Sequence, residues 1–118
     1  MKYGEPRYTK DLDVWVHNSP ENSHRVVVAL KKFGAPLEQD GITGDTFTQK
    51  QLVYQIGIAP VRIDILTEIT GIEFSSAWEK RVASTFFGIP VQFISLEDLT
   101  ANKRALGRLS DLRDLRND

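Results

Sequence analysis

Apolar and polar positions alternate in two stretches of the chain. Successive side chains of a strand point to opposite faces. In the stretch at residues 11–16, Leu12, Val14 and Val16 therefore share one face, and Asp11, Asp13 and Trp15 share the other. The segment VRIDIL (residues 61–66) repeats the design: Ile63 and Ile65 face one way, Arg62, Asp64 and Leu66 the other. Between them, HNSPENSHRVVVALKKFG carries helix punctuation. Ser19 fits the N-cap, Pro20 the first helical position and Gly34 the end. Val27, Leu30 and Phe33 are compatible with an apolar stripe, although valines are weak helix formers.

Residues 35–48 hold several turn signals and little periodicity, so they are expected as a loop. QLVYQIG is β-rich, and Gly57 with the following IAP separates it from VRIDIL, which predicts a hairpin with Pro60 opening its second strand. SSAWEKRVA (residues 75–83) is expected as one short helix, and STFFGIPVQFIS as two short strands around Gly88 and Pro90. SLEDL opens the last helix with a capping pattern, Ser95 and Asp98 standing three apart. Leu99, Leu106, Leu109, Leu112 and Leu115 follow at helical spacing. No internal repeat or low-complexity segment interrupts the order. Strand, helix, strands, helix, strands, helix predicts an α/β (α+β) domain over residues 1–118, a mixed β-sheet flanked by helices.

The bulk properties narrow the function classes. A length of 118 residues suits one domain, and 41% hydrophobic with 26% charged residues is a globular composition. A formal net charge of -1 excludes a global field for nucleic acid or an anionic membrane. The chain has no cysteine, which excludes disulfides, thiolate zinc sites and cysteine nucleophiles. No stretch approaches the roughly 20 apolar residues of a membrane span, and MKYGEPRYTK lacks an apolar signal core. The expectation is a cytoplasmic protein with no membrane partner.

The carboxylates on the polar faces are the candidate chemistry. If the two alternating strands are neighbours, Asp11, Asp13 and Asp64 can converge. Clustered carboxylates repel one another, and a divalent cation reverses that. Magnesium takes oxygen ligands, commonly one or two carboxylates plus substrate phosphates, and such ions stabilise the attacking and leaving oxygens of phosphoryl transfer. A remaining aspartate can accept the proton of an attacking hydroxyl. The plainer reading is that D-x-D marks strand-end charges and that Arg62, on the same face, is the ion-pair partner of Asp64. A nucleotide-sugar glycosyltransferase also uses D-x-D, but it leaves the aspartate of VRIDIL unexplained.

Three stretches then occur in order: G-x-P-R-x-T-x-D-L-D (Gly4 to Asp13), P-V-R-I-D-I-L-T (Pro60 to Thr67), and the Ile94 to Leu115 segment ISLEDLTANKRALGRLSDLRDL. Together they cover nearly the whole chain from Gly4. They resemble the minimal nucleotidyltransferases of the DNA polymerase beta superfamily, in particular the small bacterial group related to abortive-infection toxins. The resemblance implies the nucleotidyltransferase fold and a Mg²⁺-dependent (or Mn²⁺-dependent) transfer of a nucleoside monophosphate from an NTP to an acceptor such as RNA, protein or a small molecule. It also implies that Asp11 and Asp13 are the metal-binding pair and Asp64 the third carboxylate, metal ligand and candidate base. Arg7 and Thr9 match the segment leading into the pair. Lys103, Arg108 and Asp111 match the motif of the last helix, with Lys103 and Arg108 as candidate phosphate contacts.

The family also carries a Gly-Gly or Gly-Ser turn, roughly ten residues before the aspartate pair, whose backbone N–H groups hold phosphate. Nothing before Gly4 matches it, so the domain is expected to start after that element, by truncation or by degeneration. The alternative expectation is a non-catalytic binding or partner module of the same fold, for example a toxin–antitoxin component. Homodimerisation is expected as a way to cover a sheet face that a missing first helix would leave open. Trp15 is a candidate base-stacking residue, whereas His17 and His24 lack metal-ligand spacing and Trp78 reads as a packing anchor.

Overall fold

The computed structural model describes residues 10–58, 61–86 and 88–117. The chain divides between Glu68 and Ile69 into two compact units. The described residues form a mixed α+β structure with three helices and two sheets.

The first unit starts with β1 (Lys10–Trp15), followed by α1 (Pro20–Phe33), a short 3-10 turn at Thr46–Thr48, β2 (Val53–Ile58) and β3 (Val61–Leu66). The sheet order is β1-β3-β2, with β1 parallel and β2 antiparallel to the central β3. The chain between the parallel strands runs through α1, as such a crossover requires. α1 forms where its punctuation predicts. Ser19 Oγ accepts the N–H of Asn22 at 3.2 Å, and Gly34, at φ 97°, stops the helix by donating to the carbonyls of Leu30 and Lys31. Only a residue at ease with positive φ closes a helix this way.

The core gathers on one sheet face. Leu30, Phe47, Tyr54, Ile56 and Ile65 are its buried members, with Val14, Val16, Val26, Val27 and Ile63 packed around them. α1 and the chain from Ala35 to Leu52 supply the covering layer. Residues 35–48, expected as a plain loop, are folded by polar anchors. The buried Ser23 hydroxyl donates to the carbonyl of Gly44 (2.6 Å) and accepts from the N–H of Phe47 (3.0 Å). Tyr54 donates to Asp40 Oδ2 at 2.7 Å. Thr67 Oγ1 accepts from the N–H of Leu52 and donates to the carbonyl of Gln49.

The second unit contains α2 (Phe74–Glu79), β4 (Val82–Phe86), β5 (Ile89–Phe93) and α3 (Leu96–Asn117). β4 and β5 form their own two-stranded antiparallel sheet. α2 ends at Glu79, short of the expected 75–83 helix; Val82 and Ala83 pair with β5 instead, and Arg81 folds back on the helix end. Its guanidinium donates to the carbonyl of Trp78 at 2.7 Å and lies over the Trp78 ring, 4.0 Å from the centroid. Phe74 is also stacked with that ring, the centroids 6.0 Å apart.

Ser95 caps α3 as the sequence predicts, accepting the N–H of Asp98 at 3.1 Å. The Asp98 side chain does not complete a capping box. It is buried and faces Lys80 Nζ at 3.3 Å. Leu99 and Leu106, expected on the apolar stripe of this helix, are exposed.

Candidate active site

The face of the first sheet opposite the core is built by the same alternation that builds the core. Ile63 and Ile65 turn inward, so Arg62 and Asp64 turn outward. On β1, Val14 turns inward, so Asp13 and Trp15 turn outward. On β2, Tyr54 and Ile56 are buried, so Gln55 turns outward.

The pairing then sets which outward residues meet. β1 and β3 run parallel with Asp13 opposite Asp64, Asp11 opposite Arg62, and Trp15 opposite Leu66. β2 places Gln55 opposite Asp64. Asp13, Asp64 and Gln55 therefore form one row across three strands, at the interstrand spacing of about 4.8 Å. Two of the three aspartates singled out in the sequence are side by side. Asp11 holds the register position next along β1, and its side chain lies outside the described residues.

The members of the row differ in environment. Asp13 and Gln55 are exposed. The Asp64 side chain is only 16% exposed. Its Oδ1 is buried and accepts no hydrogen bond among the described residues. Arg62 Nε lies 3.9 Å from that oxygen, an ion-pair distance too long for a hydrogen bond. Like charges directly opposite on adjacent strands destabilise a sheet, and a buried carboxylate oxygen without a hydrogen bond adds a desolvation cost. Both costs fall when a hard cation sits between the carboxylates.

The donor set fits that use. Asp13 and Asp64 are oxygen ligands of the kind Mg²⁺ and Mn²⁺ take, and Asp64 Oδ1 accepts no hydrogen bond among the described residues. Among the described residues no group of three or more metal-ligating side chains converges. The described donors are thus this pair.

Arg7 and Thr9 lie outside the described residues. Lys103 is exposed on α3 of the second unit; Arg108 and Asp111 lie on the same helix, with side chains outside the described residues. Trp15 is half-buried, two residues past Asp13 on the same face. His24 is an exposed neighbour of Asp45 at 3.6 Å, and takes no part in the carboxylate face. The residue that sequence reading passed over is Gln55. Its signal was present, since the alternation Tyr54-Gln55-Ile56 turns it outward, but its place beside Asp64 needed the strand pairing. Compared with known family models, with curated proteins and with solved structures, the chain matches none.

Proposed function

We propose that this chain is a metal-dependent nucleotidyltransferase domain with the nucleotidyltransferase fold. It transfers a nucleoside monophosphate from an NTP to an acceptor hydroxyl on RNA, protein or a small molecule. The observation that carries this reading is the register of Asp13 with Asp64 on adjacent parallel strands, with a buried Asp64 oxygen that lacks a hydrogen bond among the described residues. The resemblance of the three sequence stretches to that superfamily supports it.

Asp13 and Asp64, with Asp11 next along β1, hold Mg²⁺ in this reading. Magnesium, when bound, neutralises the charge that develops on the phosphate oxygens. The carboxylates position that charge relative to the reacting atoms, and most of the catalysis is positioning and electrostatic stabilisation. Asp64 accepts the proton of the acceptor hydroxyl. The acceptor oxygen forms a bond to the α-phosphorus while the bond from that phosphorus to the bridging oxygen breaks. Pyrophosphate leaves.

The test is incubation of the protein with Mg²⁺, each NTP and candidate acceptors, with mass spectrometry for a nucleotide increment. Transfer that disappears in Asp13→Asn and Asp64→Asn supports the reading. The Arg62–Asp64 contact favours a second reading, in which the arginine neutralises Asp64 permanently and the domain is a non-catalytic binding module. That reading predicts no nucleotide increment with any NTP, and Asp64→Asn that changes stability alone.

A further inference from the structure

Asp64 stands in the middle of its row. Asp13 is opposite it on β1, and Gln55 is opposite it on β2. The outward turn of all three is fixed, because the residues beside them in their strands, Val14, Ile63, Ile65, Tyr54 and Ile56, belong to the core or pack on it. A sheet can neutralise a carboxylate with a cation directly across the strands, a pairing that stabilises both. Here β1 offers Asp64 a second carboxylate and β2 a neutral amide. The row carries two negative charges and no positive one. Arg62 belongs to the next row, opposite Asp11 and Gly57, and its Nε lies 3.9 Å from Asp64 Oδ1.

Hard divalent cations take neutral oxygens as well as carboxylates, glutamine carbonyls among them. No third carboxylate or imidazole joins Asp13 and Asp64 among the described residues. Gln55 supplies an oxygen of the other kind. Its position is exposed, and its side chain is one methylene longer than that of aspartate. Neighbouring strands lie about 4.8 Å apart, and a Mg²⁺–oxygen bond is about 2.0–2.1 Å long. A cation above Asp64 is therefore within reach of side chains from both flanking strands.

We propose that Gln55 is a neutral protein ligand of the divalent cation, through its amide oxygen Oε1, beside the charged pair Asp13 and Asp64. The inference rests on the reading of this face as a metal–nucleotide site, and adds to it a ligand and a reason for its type. A glutamate at this position would bring a third like charge into the row of the metal-free protein. It would also leave the loaded site net negative towards an anionic polyphosphate, because two carboxylates already neutralise a divalent ion and the residue types Asp11 and Arg62 offset one another. A valine, which β2 uses at its neighbouring outward position Val53, would bring no oxygen. The amide gives the oxygen without the charge.

The experiment compares the wild type with Gln55→Val, Gln55→Glu and Val53→Glu. Both positions are exposed on β2, an edge strand, and folding is checked by circular dichroism. Mn²⁺ is titrated alone, and free ion is counted by electron paramagnetic resonance. Gln55→Val is expected to bind Mn²⁺ at least about tenfold more weakly. Gln55→Glu is expected to bind it about threefold to tenfold more tightly. Its thermal midpoint is expected below that of the wild type without metal, with a larger rise on adding Mn²⁺. Val53→Glu adds the same charge one row away, and is expected to tighten binding less than Gln55→Glu does. If Gln55→Val does not fold, the two glutamate variants decide.

The inference is overturned if Gln55→Val binds Mn²⁺ like the wild type, or if Val53→Glu tightens binding as much as Gln55→Glu. Either result, with the metal lost in Asp13→Asn and Asp64→Asn, overturns this inference alone. A folded wild type that takes up no Mn²⁺, alone or with tripolyphosphate, overturns the functional reading, and the inference with it.

Discussion

Single side chains decide most of what holds the first unit together. Ser23 is fully buried and uses its hydroxyl twice, donating to Gly44 and accepting from Phe47. Ser23→Ala leaves a part-buried carbonyl and a buried N–H without their partner. The expected loss is about 2–3 kcal/mol, read as a lower urea midpoint with an unchanged slope. Tyr54 gives a pH signature. Burial first, and then the neighbouring Asp40 carboxylate, push its phenol from the usual 10.0 up to about 12. Both folded and unfolded chains keep the proton below pH 10, so this contribution to stability is intact there. Between pH 10 and 12 the unfolded chain loses its proton first, and stability falls as pH rises through the folded value. The fall is on the order of 2 kcal/mol. Tyr54→Phe is expected to be less stable at pH 7 by about 1 kcal/mol for the lost hydrogen bond, but to lack this part of the alkaline decline in denaturation curves taken across pH 9–12.

At the scale of elements, local chemistry predicted the helices and missed what fastens them. Ser19, Gly34 and Ser95 sit at helix ends as their sequence positions imply, because capping bonds join residues only a few positions apart. The fastening of residues 35–52 was not legible, because its anchors are distant: Ser23 reaches 21 and 24 residues along the chain, and Thr67 reaches back 18 to Gln49. α2 stops short of the expected residue 83 because Val82 and Ala83 pair with Phe93 and Gln92 of β5, a pairing across about ten residues that the local sequence does not show.

In the second unit, Asn102 of α3 donates to the carbonyl of Thr70 at 2.8 Å, one residue before Gly71. Gly71 has φ +84°, and a Cβ placed there would lie 2.7 Å from Ala105 Cβ. Gly71→Ala therefore meets a backbone penalty of about 1–2 kcal/mol and a clash that requires α3 to shift. The expected destabilisation is about 2–4 kcal/mol, measured by thermal or urea unfolding. Lys80 adds an alkaline limit here. Its hydrogen bond to Asp98, the largest cause, raises its pKa above the usual value. The stabilisation is present below the ordinary lysine range and is lost as pH rises through the raised value.

For the whole molecule, the α+β class was legible from the order of alternating and helical stretches. Among the described residues no helix is long and apolar enough to cross a membrane. The pairing was not legible. The alternation put Asp13 and Asp64 on the polar faces of their own strands, but only the parallel β1–β3 register makes those faces one surface. That β4 and β5 make a separate sheet was equally hidden, since two strands around a turn read the same whether or not they join a larger sheet.

If Asp13 and Asp64 act together as one metal–nucleotide site, calorimetry detects it. Mg²⁺ with each NTP is titrated into the folded wild type and into Asp13→Asn and Asp64→Asn. The wild type is expected to bind at least one Mg²⁺–NTP saturably and none without Mg²⁺, and both variants are expected to lose that binding with the fold intact. A folded wild type that binds no Mg²⁺–NTP, or variants that bind it as well as the wild type does, would contradict such a site.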